Sequence, residues 1–108
     1  MMKKRILIVE DDPIMRLGMN HFLAYQGYAV SVCADGREGL RALENTAYEL
    51  IITDLKLPYH DGFEILEKAE AVSPKTGVII ITGHAEIKSA VQAIKKGAFD
   101  YIAKPFAN

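Results

Sequence analysis

Six polar side chains suggest chemistry, and they come from four widely separated places in the chain. Three acids occupy positions 10–12, and Asp54, Thr82 and Lys104 follow much later. Each group comes at the end of an apolar run that is typical of a strand in a parallel sheet. Because the carboxyl ends of parallel strands meet at the edge where such sheets bind ligands, we expect these side chains to converge there.

Converging carboxylates require a positive partner. At a separation of 4 Å and an effective dielectric constant near 20, each pair of carboxylates costs about 4 kcal/mol. Oxygen ligands with no Cys or His among them suit Mg²⁺, which keeps several waters and shares its coordination shell with phosphate. A carboxylate beside Mg²⁺ can accept a phosphoryl group as an acyl phosphate, and Asp54 is the candidate because it is a single acid directly after a buried strand.

A simpler interpretation is that acids at strand ends only cap helices. Asp12 precedes Pro13 and is expected to be such a cap. Capping does not account for Glu10, Asp54 and Lys104 together, so the interpretation as a phosphate and metal site is retained beside it.

The elements that must position these residues alternate regularly between strands and helices. Apolar runs predict strands at 6–9, 28–33, 50–52, 78–81 and 99–103. Between them, four sets at helical spacing predict the apolar faces of helices: Ile14, Leu17, Phe22 and Tyr25; Gly36, Leu40, Leu43 and Ala47; Ile65, Leu66, Ala69 and Val72; and Ile87, Ala90, Val91, Ile94 and Ala98. Ile87, Val91 and Ile94 are expected to lie mostly in the core. Asp35 is expected to begin the second helix, and Gly27 and Gly97 to close the first and the fourth. This order predicts an α/β fold with a parallel sheet and right-handed crossovers.

Length and composition exclude several classes of protein. The 108 residues suit one domain, and 13 Lys and Arg against 14 Asp and Glu give a net charge of −1, without the basic excess that direct nucleic-acid binding requires. The single cysteine, Cys33, cannot form an internal disulfide and is expected to be a buried apolar residue. No apolar run approaches the roughly 20 residues that cross a bilayer, so we expect a cytoplasmic protein without membrane contact.

Five motifs in order resemble the receiver domain of two-component response regulators, and the resemblance spans essentially the whole chain. The motifs are Ile6-Leu7-Ile8-Val9-Glu10-Asp11-Asp12-Pro13, Asp54-Leu55-Lys56-Leu57-Pro58, Asp61-Gly62, Thr82-Gly83, and Lys104-Pro105-Phe106. The stretches 81–85 and 97–101 look most like the N-terminal receivers of NtrC-type transcriptional activators. The resemblance implies a flavodoxin-like (CheY-like), doubly wound, five-stranded parallel sheet with strand order 2-1-3-4-5.

The same resemblance implies a role for each site residue. Asp54 would be the phosphoacceptor, Thr82 and Lys104 would contact the phosphoryl oxygens, and Tyr101 would be the aromatic residue whose rotamer follows Thr82. The implied Mg²⁺ ligands are Asp11, Asp54 and the backbone carbonyl of Lys56, with Glu10 acting largely through water. His84 would lie at the rim of the site, and the Lys104–Pro105 bond resembles the cis peptide of the family.

The implied function is a phosphorylation-dependent switch. A sensor histidine kinase would donate the phosphoryl group, and the changed surface would act on an output domain or partner protein, here to regulate transcription. The domain would catalyse only its own phosphorylation and dephosphorylation.

Three alternative functions place different demands on the sequence. A phosphatase acting through an aspartyl intermediate needs an acid two residues after the nucleophile, where this chain has Lys56. A flavodoxin-like nucleotide-binding module needs a phosphate-binding loop after the first strand, where the acids at 10–12 would repel phosphate. A degenerate receiver that serves only in dimerisation would not need the full set of site residues.

The chain ends at Asn108, just after the last predicted strand, where receivers normally add a fifth helix. Five strands make a sheet about 24 Å wide, whereas the single helix expected on one face covers about 10 Å. We therefore expect that residues 1–108 form a receiver domain truncated after its fifth strand, or that this face is covered by forming a homodimer or exchanging elements with a partner.

Overall fold

The computed structural model describes residues 3–83 and 86–104. The predictions for His84 and for the Lys104–Pro105 peptide therefore lie outside the described residues. The strands are β1 (Arg5–Val9), β2 (Ala29–Cys33), β3 (Leu50–Asp54), β4 (Gly77–Thr82) and β5 (Asp100–Ala103), and the helices are α1 (Pro13–Tyr25), α2 (Gly36–Asn45), α3 (Gly62–Val72) and α4 (Ile87–Lys95).

The five strands form one parallel sheet in the order β2-β1-β3-β4-β5, which confirms the predicted topology. Leu7 pairs with Ile51, and Ile51 with Val78, so the most apolar strand segments lie side by side in the centre. Continuous apolar sequence is what strands buried on both faces require.

The helix ends follow the predicted signals. Asp12 accepts a hydrogen bond from the Ile14 N–H at 3.0 Å, and Asp35 accepts one from the Glu38 N–H at 2.8 Å. These contacts begin α1 and α2 as side-chain caps. Gly97, with φ +105°, follows the end of α4 in a conformation that residues with a Cβ rarely adopt.

The main core lies between one face of the sheet and α2, α3 and α4. It includes Leu7, Ile51 and Val78 from the sheet and Leu66 and Ala93 from the helices, all buried. Among the helices of residues 3–83 and 86–104, α1 is the one on the opposite face. Of the described helices, none is long and apolar enough to cross a membrane.

An open apolar groove lies beside α1 on that second face. It has a volume of about 580 Å³, and the residues that line it are Met15, Gly18, Met19, Phe22, Leu23, Ile52, Ile79, Ile81 and Ile102. The prediction that a single helix leaves this face incompletely covered is confirmed for the part of the chain that the structure describes.

The predicted apolar face of α1 is wrong. Ile14, Leu17, Phe22 and Tyr25 are all exposed, and Ile14 is 82% exposed. Phe22 lines the rim of the groove, whereas the half-buried apolar residues of the helix are Met15, Met19 and Leu23. Because α1 carries apolar residues on two sides, residue spacing alone did not identify the side that packs.

The expectation that Ile87, Val91 and Ile94 lie mostly in the core is also wrong. All three are exposed, and Ile87 is 86% exposed. The one buried residue among those described in α4 is Ala93, whose small side chain lets the helix lie close to its neighbours. The apolar face of α4 therefore points largely to solvent.

Candidate functional site

The polar side chains identified from the sequence meet at the carboxyl ends of four strands. Glu10 follows β1, Asp54 ends β3, Thr82 ends β4 and Lys104 follows β5. The Nζ atom of Lys104 lies 2.6 Å from Oε1 of Glu10 and 2.9 Å from Oδ2 of Asp54. Residues separated by 94 and 50 positions in sequence are thus joined through one ammonium group.

Both carboxylates bound to Lys104 are held at their second oxygen as well. Oε2 of Glu10 accepts from the Asp12 N–H at 3.1 Å, and Oδ1 of Asp54 accepts from the Lys56 N–H at 3.3 Å. Glu10 is 0% exposed, and the side chain of Lys104 is 18% exposed. The carboxylates therefore have fixed orientations before any ligand arrives.

Burial and charge act in opposite directions on this cluster. Burial raises the pKa of Glu10, and the hydrogen bonds from Lys104 and from the Asp12 N–H only partly offset it. Burial by itself would lower the pKa of Lys104, but hydrogen bonds to Asp54 and Glu10 outweigh it and raise that pKa above 10.5. Lys104 therefore keeps its positive charge at neutral pH.

The acids also fit a divalent cation. Glu10, Asp11 and Asp54 each offer one carboxylate oxygen, and these oxygens lie within 4.8 Å of one another. Magnesium binds oxygen at about 2.0–2.1 Å, so opposite ligands of one ion stand about 4.2 Å apart, and oxygens grouped within 4.8 Å need only small adjustments to bind one ion. Lys104 pairs with Glu10 and Asp54, while the third acid, Asp11, is exposed, so the cluster is rich in negative charge and open to solvent on one side.

The two predicted switch residues, Thr82 and Tyr101, lie on the face of the sheet that packs against α2, α3 and α4. Tyr101 pairs with Ile80 in the sheet, and Thr82 lies two residues after Ile80, so the side chains of Thr82 and Tyr101 share a face. Thr82 is fully buried, and its carbonyl accepts a hydrogen bond from the Lys104 N–H at 2.9 Å. The Tyr101 hydroxyl is buried and has no hydrogen-bond partner among residues 3–83 and 86–104.

Arg16 is a site residue that the sequence reasoning missed. Its Nη1 atom donates to the carbonyl of Glu10 at 2.8 Å and lies 3.5 Å from the carbonyl of Asp11. These contacts fix the backbone of the acidic loop from the first turns of α1. The available signal was a basic residue four positions, about one helical turn, after the helix cap Asp12.

Gly62 shows how closely the chain packs beneath Asp54. Its N–H donates to the Leu55 carbonyl at 2.8 Å, and a Cβ at this position would stand 2.5 Å from the Asp54 carbonyl oxygen. Only glycine fits there, which accounts for the Asp61-Gly62 pair in the sequence motif. The role of the Lys56 carbonyl stays a prediction.

Comparison with known proteins identifies the family. The family model for the response regulator receiver domain matches residues 6–108. The chain belongs to the response regulator receiver family. It is a receiver domain of two-component signalling, as the sequence motifs predicted.

Three similar proteins illustrate this relationship. The C4-dicarboxylate transport transcriptional regulatory protein DctD of Rhizobium meliloti is 38% identical over 94% of this chain, which spans 22% of that protein. A response regulator from Burkholderia pseudomallei, solved with a phosphorylated aspartic acid, a calcium ion and citrate, superposes with a TM-score of 0.90 at 30% identity, covering 97% of this chain and 62% of that one. The beryllofluoride-activated NtrC4 receiver domain dimer gives a TM-score of 0.88 at 32% identity, covering 95% of this chain and 85% of that one. DctD and the NtrC4 receiver agree with the predicted resemblance to NtrC-type receivers.

Proposed function

We propose that Asp54 is the phosphoacceptor of this receiver and that a phosphohistidine of a sensor kinase is the donor. The observation that carries the proposal is the fixed Asp54 carboxylate, held 2.9 Å from Lys104 Nζ and grouped with two further acids. The phosphorylated aspartic acid of the Burkholderia relative supports the same chemistry.

The proposed transfer is an in-line displacement. A carboxylate oxygen of Asp54 forms a bond to phosphorus while the bond from phosphorus to the imidazole nitrogen breaks, and the imidazole keeps the electron pair. Bound Mg²⁺, held by Asp11, Asp54, the Lys56 carbonyl and, through water, Glu10, would neutralise charge on the phosphoryl oxygens. Lys104 places its ammonium group on the same oxygens, and the hydroxyl of Thr82 donates to them.

The phosphoryl group would then shift a conformational equilibrium. It adds negative charge beside Lys104, whose ammonium group donates hydrogen bonds to Glu10 and Asp54 in the unphosphorylated chain. Thr82 moves toward the new oxygens, and Tyr101 follows on the same face of the sheet. The altered surface binds an output domain or a partner protein.

Intact-mass spectrometry after incubation with acetyl phosphate and Mg²⁺ tests the acceptor. We expect the wild-type chain to gain one phosphoryl group and Asp54→Asn to gain none. Asp61→Asn is the matched control, because Asp61 lies in the same loop and caps α3 rather than joining the cluster. An undiminished adduct on Asp54→Asn would falsify the assignment.

Metal removal tests the cation separately. Mg²⁺ that binds only the folded chain raises the free energy of unfolding by about 2.7 kcal/mol at 100 times its dissociation constant. Urea denaturation in MgCl₂ and in EDTA should show this difference for the wild type and lose most of it in Asp11→Asn. Equal stability in both buffers would remove magnesium from the proposal.

The partners and setting are part of the same proposal. The chain spans less than a quarter of the length of DctD, so the kinase, the transcriptional output and the cytoplasmic location belong to a regulator of which residues 1–108 would be the receiver domain. We expect the groove beside α1 to be covered, either in a homodimer or by a further helix of that regulator. Light scattering that shows a stable monomer, together with no binding of an apolar dye, would contradict this expectation.

A further inference from the structure

The first turn of α2 packs against the loop that follows Asp54 and forms a hydrogen bond with it. The Gly36 N–H donates to the Pro58 carbonyl at 3.1 Å, and the Arg37 guanidinium lies 4.1 Å from the centre of the Tyr59 ring. A Cβ on Gly36 would stand 1.9 Å from the His60 carbonyl oxygen, so the two backbones touch directly. These contacts are separate from the ion pairs of the acidic cluster.

The segment of the loop that contacts α2, residues 58–60, has a strained backbone. Tyr59 has φ +73°, and the His60 N–H donates to the Pro58 carbonyl at 2.9 Å. A hydrogen bond between residues two apart around a positive φ is the pattern of a γ-turn that is rare and strained. Such a conformation persists only when its surroundings hold it.

The strained turn belongs to the same short loop as Lys56. The hydrogen bond from the Gly62 N–H to the Leu55 carbonyl closes the loop at its base, and the hydrogen bond from the Gly36 N–H to the Pro58 carbonyl holds its tip against α2. Within it, the Lys56 N–H reaches Asp54. Displacement of the tip therefore moves the backbone on which the proposed Lys56 ligand depends.

We infer that Arg37 and Tyr59 are positioning residues for the magnesium site, acting through the β3–α3 loop (residues 55–61). This inference rests on the proposed function, because it concerns the cation assigned to Asp54 and Lys56. Neither side chain touches the cluster, and both are more than half exposed, so a small effect on folding is expected from replacing them.

The sign of the effect separates positioning from simple electrostatics. Loss of the positive charge of Arg37 should strengthen cation binding if charge alone matters. Loss of the contact with Tyr59 should weaken it if loop position matters. We expect Arg37→Ala to weaken Mg²⁺ binding by at most about two- to fivefold, because the free energy of one exposed cation–π contact is the upper limit of this coupling.

Tyr59→Gly separates positioning from a merely structural role. Glycine adopts positive φ without strain, so the folded chain should keep or gain stability, while the freed loop should weaken Mg²⁺ binding by a similar factor. Tyr59→Phe retains the ring and should restore wild-type affinity. Arg41→Ala is the matched control, because it removes an exposed Arg one turn further along the same helix.

The experiment is calorimetric titration of each chain with MgCl₂, paired with urea denaturation in EDTA. Weaker binding in Arg37→Ala and Tyr59→Gly, with wild-type binding in Tyr59→Phe and Arg41→Ala, supports the inference. Wild-type affinity in Arg37→Ala and Tyr59→Gly overturns it and leaves the proposed function intact. Affinity that falls only where stability falls also overturns it, because that is the pattern of a structural role. A wild-type chain that binds no Mg²⁺ overturns the proposed function itself, and the inference with it.

Discussion

The two faces of the sheet are built from the same strands but are covered very differently. Ile51 on the face beneath α2, α3 and α4 is fully buried, whereas its neighbour Ile52 lines the open groove beside α1. Strand alternation places Glu10, Asp54 and Lys104 on the thinly covered face and Thr82 and Tyr101 on the other. The main core and the two proposed switch residues thus lie on one face, and the charged cluster lies at the edge of the other.

The largest test of this contrast uses adjacent residues of β3. We expect Ile51→Ala to lower the free energy of unfolding by about 3–4 kcal/mol, because it opens a cavity in the main core. Ile52→Ala removes the same atoms from a site already open to solvent and should cost about 1–2 kcal/mol. Urea denaturation measures both, and equal losses would show that the second face is packed as tightly as the first.

The buried thiol of Cys33 lies on the well-covered face, and its rate of alkylation measures how well that face excludes solvent. Burial raises the pKa of this thiol from 9.0 to about 11. At pH 8 the native chain should therefore hold about 100-fold less thiolate than the unfolded chain, and iodoacetamide should react correspondingly more slowly. The sign for stability follows, since the thiol favours the folded chain below pH 9 and this contribution is lost as the pH rises through about 11. Equal alkylation rates with and without urea would contradict this protection.

A smaller effect is expected at Tyr101, where the well-covered face reaches the site. Its buried hydroxyl lacks a partner among the described residues, so Tyr101→Phe should raise the free energy of unfolding by about 1 kcal/mol or leave it unchanged. Thermal and urea denaturation without Mg²⁺ measure this. A clear loss of stability would mean that the hydroxyl is bonded in solution and that Tyr101 is anchored rather than ready to move.

The sheet and the acidic site were predictable for one physical reason. Strand order fixes which segment ends are neighbours, so polar residues that end apolar runs must meet, as Glu10, Asp54 and Lys104 do. The side on which a helix packs was less predictable. In α4 the burial falls on Ala93 rather than on Ile94, because close approach to the sheet favours a small residue over a large apolar one.

The contacts between α2 and the β3–α3 loop could not be predicted from local patterns. Arg37 and Tyr59 lie in different segments, and neither belongs to a motif. Tyr59 has no sequence signal for its positive φ, since Gly or Asn is the usual residue there. Only the folded arrangement shows that Gly36 is glycine to make room for the loop.

Arg16 links the first turns of α1 to the acidic loop. The same helical turn that presents the exposed Ile14 and Leu17 also sends a guanidinium to the carbonyls of Glu10 and Asp11. A displacement of this turn would move the guanidinium that holds these two carbonyls, so the shape of the acidic loop depends on the position of α1 although α1 contributes no carboxylate to the cluster.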